Sequence, residues 1–76
     1  MDKSTRLLLL YSKLISGEKI NKVEFCEENG TSSRAFERDV KTIRLFLSDI
    51  FSPFELTYDK KVDHYYFKEV ISEKEI

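Results

Sequence analysis

The sequence predicts a small, mostly α-helical domain in which three helices are followed by a short β-hairpin. Three observations predict this order of elements. Two segments with helix-capping residues meet at a tight turn, Asn29-Gly30. The next segment repeats its apolar residues every three or four positions, which is typical of a helix with one buried face. After Pro53, apolar and polar residues roughly alternate, which is typical of β-strands.

The first helix is expected to begin at a cap, Asp2 or Ser4, and to reach about Ile15. Its apolar stripe comprises residues 7, 10, 11 and 14, and Leu8 and Ile15 widen that stripe. Leu9 falls outside it. Leu9 is therefore either a partly exposed leucine or a contact with a second subunit.

The second helix is predicted to be short, over residues 22–28. Asn21 is a suitable N-cap, and Ile20 and Phe25 occupy the positions of a hydrophobic staple. Gly30 can adopt the positive φ that often ends a helix. We expect Ser32 to cap the following helix, which leaves a turn of about three residues.

The third helix has two contrasting faces and is predicted to reach about Ile50, before Pro53 breaks it. One face is an apolar stripe of Phe36, Val40, Ile43 and Leu47, with Ile50 beside it. The opposite face carries Arg34, Arg38 and Lys41, flanked by Glu37 and Arg44. These charges are either an ordinary solvated surface or a face for nucleic acid, and their arginine content favours nucleic acid. Asp39 is rotated toward the core and is expected to anchor Arg6 or the first helix.

The hairpin is predicted to pair residues 55–58 with residues 64–68. The side chains expected to face inward are those of Leu56, Tyr58, Tyr65 and Phe67, and His64 and Tyr66 are left on the outer face. The loop over residues 59–63 carries Lys60 and Lys61. These lysines either reach a phosphate or the minor groove, or are two solvated side chains in a turn.

Composition limits the class of protein. The 76 residues form one small domain with a formal net charge of −1, so nucleic-acid binding would depend on how the charge is distributed. We assign residues 1–68 to the domain and residues 69–76 to a polar tail or linker stub. The single cysteine, Cys26, excludes an internal disulfide and is expected to pack as a small apolar residue.

No enzymatic site is predicted from these residues. The chain has one histidine, and it has no glycine-rich phosphate loop and no spacing of metal ligands. We therefore expect no catalytic residue, cofactor or metal. The apolar run over residues 7–11 is too short to span a bilayer, and no signal-peptide pattern follows it, so a cytoplasmic protein without membrane contact is expected.

The segment Ser32-Ser33-Arg34-Ala35-Phe36-Glu37-Arg38-Asp39-Val40 resembles the S-x-R-T-I-x-R-D-L signature of one family of winged helix-turn-helix domains. That family comprises the DeoR-like and WYL-domain bacterial transcription regulators. Residues 6–17 are similar to its first helix and turn, and residues 56–59 and 65–67 are similar to the two strands of its wing. Ala35 stands where the family usually has threonine, and His64 stands where a wing glycine is common.

The resemblance and the basic face together imply sequence-specific binding to double-stranded DNA by a small bacterial or phage transcription regulator, or by its DNA-binding domain. The third helix would enter the major groove and the wing would contact the backbone. Candidates for base edges are Ser33, Arg34, Glu37 and Arg38. Candidates for phosphates are Thr31, Ser32, Lys41 and Arg44, together with Lys60 and Lys61 in the wing.

A homodimer on a palindromic site is the expected working form, because one small domain binds DNA weakly. Its possible contacts are Leu9, Leu45, Val70 and Ile71. Leu45 lies on the side of the basic residues and is expected to pack under the wing or against another chain. The tail is a frayed end, a linker, or a short helix that completes a dimer. The alternative function is a protein-interaction module on a winged-helix scaffold, such as a small mobile-element-encoded inhibitor.

Overall fold

A computed structural model describes residues 2–70 and contains three helices followed by a two-stranded antiparallel hairpin. The predicted fold class, a mostly helical winged helix-turn-helix, is confirmed. The elements are α1 (Lys3–Ile15), α2 (Lys22–Asn29), α3 (Ser33–Asp49), β1 (Phe54–Asp59) and β2 (His64–Glu69). No helix within this part of the chain has the length and apolar character needed to cross a membrane.

Each helix begins at a side-chain cap. Asp2, Asn21 and Ser32 each accept a hydrogen bond from the backbone N–H three residues along, at 2.8, 3.0 and 3.1 Å. The caps predicted at Asn21 and Ser32 are confirmed, and of the two candidates for α1 the structure selects Asp2.

All three helices end in the same way, with a residue in the left-handed region whose following N–H bonds back to the last turn. Gly17 and Gly30 hold this position after α1 and α2, with φ values of 90° and 62°. Phe51 holds it after α3 with φ of 52°, and the N–H of Ser52 donates to the Leu47 carbonyl at 2.9 Å. A side chain with a Cβ is strained in this conformation, whereas glycine is not.

The core is built around the buried face of α3. The predicted stripe on this helix is confirmed, because all four of its members are buried. The buried apolar residues are Leu10, Leu14, Ile20, Phe25, Phe36, Val40, Ile43, Leu47 and Leu56. Ile50, expected beside the stripe, is 50 % exposed because α3 ends at Asp49.

The prediction that Leu8 and Ile15 widen the α1 stripe was wrong, because these side chains are 69 % and 42 % exposed. Leu9 is half-buried at the edge of the core, which fits the expected partly exposed leucine. Periodicity locates the centre of a helical stripe, but neighbouring elements decide which of its two edges they cover.

The hairpin register pairs Leu56 with Phe67 and Tyr58 with Tyr65, so the four predicted side chains share one face. Leu56 is buried, whereas Tyr58 remains 39 % exposed and packs its ring against that of Tyr65 at 4.7 Å between centroids. The two strands are longer than predicted.

The end of the hairpin includes part of the predicted tail. Glu69 belongs to β2, and the N–H of Val70 donates to the Pro53 carbonyl at 2.7 Å. Residues 69 and 70, which the sequence analysis assigned to the tail, therefore continue the hairpin. Ile71 and the remainder of the predicted tail lie outside the described residues.

The connection between α1 and α2 is joined to the hairpin by a backbone bridge that the sequence did not predict. The N–H of Ile20 donates to the Tyr65 carbonyl at 2.8 Å, and the N–H of Tyr65 donates to the Ile20 carbonyl at 2.7 Å. This bridge makes the hairpin part of the helical unit.

A buried ion pair joins the start of α1 to the middle of α3. The Asp39 carboxylate has no exposed surface and accepts from Arg6 Nε at 2.5 Å and from Nη2 at 3.0 Å. The hydrogen bond to Asp39 raises the pKa of Arg6. The predicted anchor between Asp39 and Arg6 is confirmed.

Replacing Phe36 with alanine is expected to lower the free energy of unfolding by ~3–5 kcal/mol, because a fully buried ring is removed from the core. Leu45→Ala, on the exposed side of the same helix, is the control and should change it by less than about 0.5 kcal/mol. Urea denaturation measures both. Equal effects of the two substitutions would contradict the assignment of the buried face.

Arg6→Leu is expected to cost ~3–5 kcal/mol of stability, because the buried Asp39 carboxylate loses its partner. The double variant Arg6→Leu/Asp39→Leu should regain most of that loss, since no unpaired charge then remains buried. Thermal unfolding at pH 7 compares the two. A double variant as unstable as the single one would show that the charge is not the cause.

Candidate nucleic-acid interface

The three cations on the basic face of α3 form no ion pair within residues 2–70. Arg34, Arg38 and Lys41 are all exposed, and none of them bonds to a carboxylate there. The buried residues Phe36 and Val40 hold the opposite side of the same turns. Three cations are thus presented on a rigid helix with their donor groups available to a ligand.

The start of α3 adds polar groups beside these cations. Ser33 is the first helical residue and is exposed, and Thr31 is half-buried in the turn before it. Ser32 uses its oxygen as the cap, so its hydroxyl hydrogen is still available to donate. The unbonded N–H groups of a first helical turn favour an anion, which complements the nearby arginines.

Glu37 lies on the same face but is already paired. Its carboxylate accepts from Lys22 Nζ of α2 at 2.8 Å, and this bond lowers the pKa of Glu37. Sequence analysis missed Lys22, since nothing in the local pattern shows that a residue fifteen positions earlier faces α3. The Lys22 ammonium group offsets part of the negative charge that Glu37 places beside the arginines.

Arg44 is directed toward the hairpin. Its Nε and Nη2 both donate to the Leu56 carbonyl at 3.3 Å, which ties α3 to β1. In this geometry Arg44 supports the wing rather than extending the basic face.

Leu45 does not pack under the wing and is 61 % exposed, so the prediction that it packs under the wing was wrong. The hairpin meets the flank of α3 that carries Arg44, and Leu45 lies further round the helix.

The wing tip presents Lys60 and Lys61, which are both exposed in the turn between the strands. The Asp59 carboxylate accepts the N–H of Lys61 at 3.0 Å and shapes the start of the turn. The two lysines therefore project to solvent from a defined turn.

Asp63 fixes the other side of the wing loop. It has φ of 56°, and its carboxylate accepts the Tyr58 hydroxyl at 2.6 Å, a bond that raises the pKa of Tyr58. Its backbone carbonyl accepts Asn21 Nδ2 at 3.1 Å. Asn21 thus caps α2 with its oxygen and holds the wing with its amide nitrogen.

The single cysteine has a structural role. Cys26 is half-buried against the core, and burial raises the pKa of its thiol, which agrees with its predicted role as a small apolar residue. Across residues 2–70, His, Cys, Asp and Glu side chains nowhere gather in threes in a way that could hold a metal ion.

Comparison of the chain with protein-family models, curated proteins and solved structures finds no match.

Asn21→Asp is expected to release the wing while retaining the α2 cap. The new carboxylate keeps the capping oxygen, but it cannot donate to Asp63 and it repels the Asp63 carboxylate, which lies 3.4 Å from the present amide nitrogen. Hydrogen exchange at the amide of Tyr65 should accelerate by about tenfold, while the α2 amides change little. Unchanged exchange at Tyr65 would show that Asn21 does not hold the wing.

Proposed function

We propose that this chain binds double-stranded DNA sequence-specifically, as a small cytoplasmic transcription regulator of bacterial or phage origin or as the DNA-binding domain of one. The observation that carries the proposal is the exposed set of Arg34, Arg38 and Lys41, which form no ion pair within residues 2–70, on a helix whose other side is buried. A helix held in this way can enter a major groove without losing its own support.

Arg34 and Arg38 are the proposed base readers, because guanidinium groups one helical turn apart can each bind a guanine edge with two hydrogen bonds. Ser33 lies on the turn that would enter the groove first. Glu37 is proposed to stay with Lys22 rather than contact a base, since leaving that bond would uncover a carboxylate beside DNA phosphates.

The hydroxyls of Thr31 and Ser32 and the side chain of Lys41 are proposed to contact phosphates. The wing would add Lys60 and Lys61 at the backbone of the same duplex. The Asn21 and Asp63 bonds hold the wing at one angle to the helices, so these contacts would cost little ordering entropy.

Membership in the DeoR-like and WYL-associated families is part of this proposal and is supported by the motifs over residues 32–40, 56–59 and 65–67. The alternative, a protein-interaction module, is supported by one observation: Phe51, next to the end of α3, is 92 % exposed.

Selection of bound duplexes from a random pool should enrich a half-site. On that site Arg34→Ala and Arg38→Ala should each weaken binding by ~1–3 kcal/mol and relax the base preference at one position. Competition binding at fixed salt measures both effects. Losses that are equal on cognate and random duplexes would assign these arginines to phosphates instead.

Lys41→Ala should weaken binding to all duplexes about equally and reduce the salt dependence by about one phosphate contact. Lys68→Ala, at the end of the hairpin away from its tip, is the matched control and should leave the salt slope unchanged. If Arg34, Arg38 and Lys41 can all be replaced without loss of affinity in a folded protein, the protein-interaction function is favoured.

A further inference from the structure

Phe51 is held in an unfavourable conformation and at an unfavourable place. Its φ of 52° is one that a β-carbon disfavours, and its ring is 92 % exposed to water. The same position is glycine after the other two helices of this chain. Backbone strain combined with an exposed aromatic ring indicates a residue retained for contact with a partner.

Other apolar side chains surround Phe51. Ile50 precedes it at 50 % exposure, and Phe46, one turn earlier on α3, is 46 % exposed. The Phe46 ring meets the Tyr11 ring of α1 edge-on at 5.9 Å, and Ile15 follows Tyr11 by one turn at 42 % exposure. An apolar surface therefore runs from the end of α1 to Phe51.

A groove lies on the other side of Phe51, between the end of α3 and the hairpin. Its volume is about 550 Å³, and its apolar walls are Leu47, Phe54, Leu56 and Val70. Arg44 and Glu55 lie on the same walls and supply one charge of each sign.

We propose that this surface, which we call the α3-end surface (Ile15, Phe46, Ile50, Phe51, Val70 and the groove), joins two copies of this chain across a two-fold axis. A protruding ring beside an apolar groove is complementary to itself, so each Phe51 can enter the groove of the other copy. The opposite charges of Arg44 and Glu55 let two identical surfaces meet without burying a single sign of charge.

The available area agrees with a weak, specific dimer. Five apolar side chains of this size, about half exposed or more, offer on the order of 500 Å² per copy. Two copies then bury about 1,000 Å² in total, which is near the lower limit for a biological interface. A patch of about 500 Å² is comparable to the largest apolar patch on a typical monomer, and such patches often have a function.

This surface differs from the contacts that the sequence suggested. Leu9 packs against the core, and Leu45 lies on another side of α3, so only Val70 is retained from the described candidates. The role of this dimer in DNA binding rests on the proposed function. Because α3 rises about 1.5 Å per residue, Phe51 lies about 25 Å from Arg34, and pairing at this end leaves both basic faces free.

Sedimentation equilibrium of the full chain without DNA tests the pairing independently of DNA binding. The wild type should show a reversible monomer–dimer equilibrium at about 50–500 μM. Phe51→Gly should weaken self-association by at least about thirtyfold, and it should also raise the melting temperature of the monomer, because the strained backbone is relieved.

Weaker self-association together with a higher melting temperature of the monomer identifies Phe51 as a docking residue. Loss of a merely structural residue would lower the melting temperature as well. Val23→Ala, which shortens a 53 % exposed side chain on α2, is the control and should dimerise as the wild type does. A wild type that stays monomeric throughout this range would overturn the proposal. The groove would then be left for another occupant, either residues 71–76 or a different protein. A Phe51→Gly variant that dimerises normally, or a loss of dimer on Leu45→Ala instead, would also overturn it.

Duplex titration of the same variants distinguishes this proposal from the DNA-binding one. Phe51→Gly should still bind a single half-site with its basic face intact, but should lose the gain in affinity that a second half-site gives the wild type. If the protein dimerises through Phe51 but binds no duplex, the dimer interface is supported and the proposed DNA-binding function is contradicted.

Discussion

Phe36 is the side chain on which the other elements converge. It has no exposed surface, and its ring lies 5.5 Å from that of Phe25 in α2 and 5.2 Å from that of Tyr65 in β2. Tyr65 in turn carries the backbone bridge to Ile20 and packs against Tyr58. One aromatic residue on α3 therefore brings α2 and the wing to the same helix. Because protein interiors are close-packed, the position of α3 relative to both elements depends on these contacts.

The basic face follows from this packing. Because Phe36 and Val40 are buried, the residues two positions before and after them along α3 must point to solvent. Those residues are Arg34, Arg38 and Thr42, all of them exposed, and Lys41 lies on the same side. The packing of α3 rather than a specific bond thus orients these three cations, and none of them bonds to a carboxylate within residues 2–70.

A few polar contacts add to the packing of Tyr65 on Phe36 in positioning the wing. Asn21 links the α2 cap to the wing loop, Asp63 bonds to Tyr58, and Arg44 bonds to the Leu56 carbonyl. Each of these groups joins elements that are distant in sequence or turns a loop. Such bonds contribute little stability individually, about 1 kcal/mol each, but together they restrict the wing to one orientation relative to α3.

The local features of this protein were determined by sequence alone, because short-range physics decides them. The caps at Asn21 and Ser32, the left-handed glycine after α2, the α3 stripe and the facing of the strands all follow from the chemistry of residues within a few positions of one another. The partnership of Asp39 with Arg6 was also predicted, because a carboxylate turned toward a core needs a cation.

Tertiary structure decided which of several locally equivalent residues is covered. Leu8 and Leu9 are indistinguishable as side chains, and only the packing of α1 against its neighbours half-buries Leu9 and leaves Leu8 exposed. The pairing of Lys22 with Glu37, the Ile20 bridge and the turning of Arg44 toward β1 join residues that sequence patterns do not relate. Phe51 shows the same division. From the sequence, Pro53 indicated only that α3 ends nearby. The folded chain places Phe51 in the left-handed conformation and leaves its ring exposed to water.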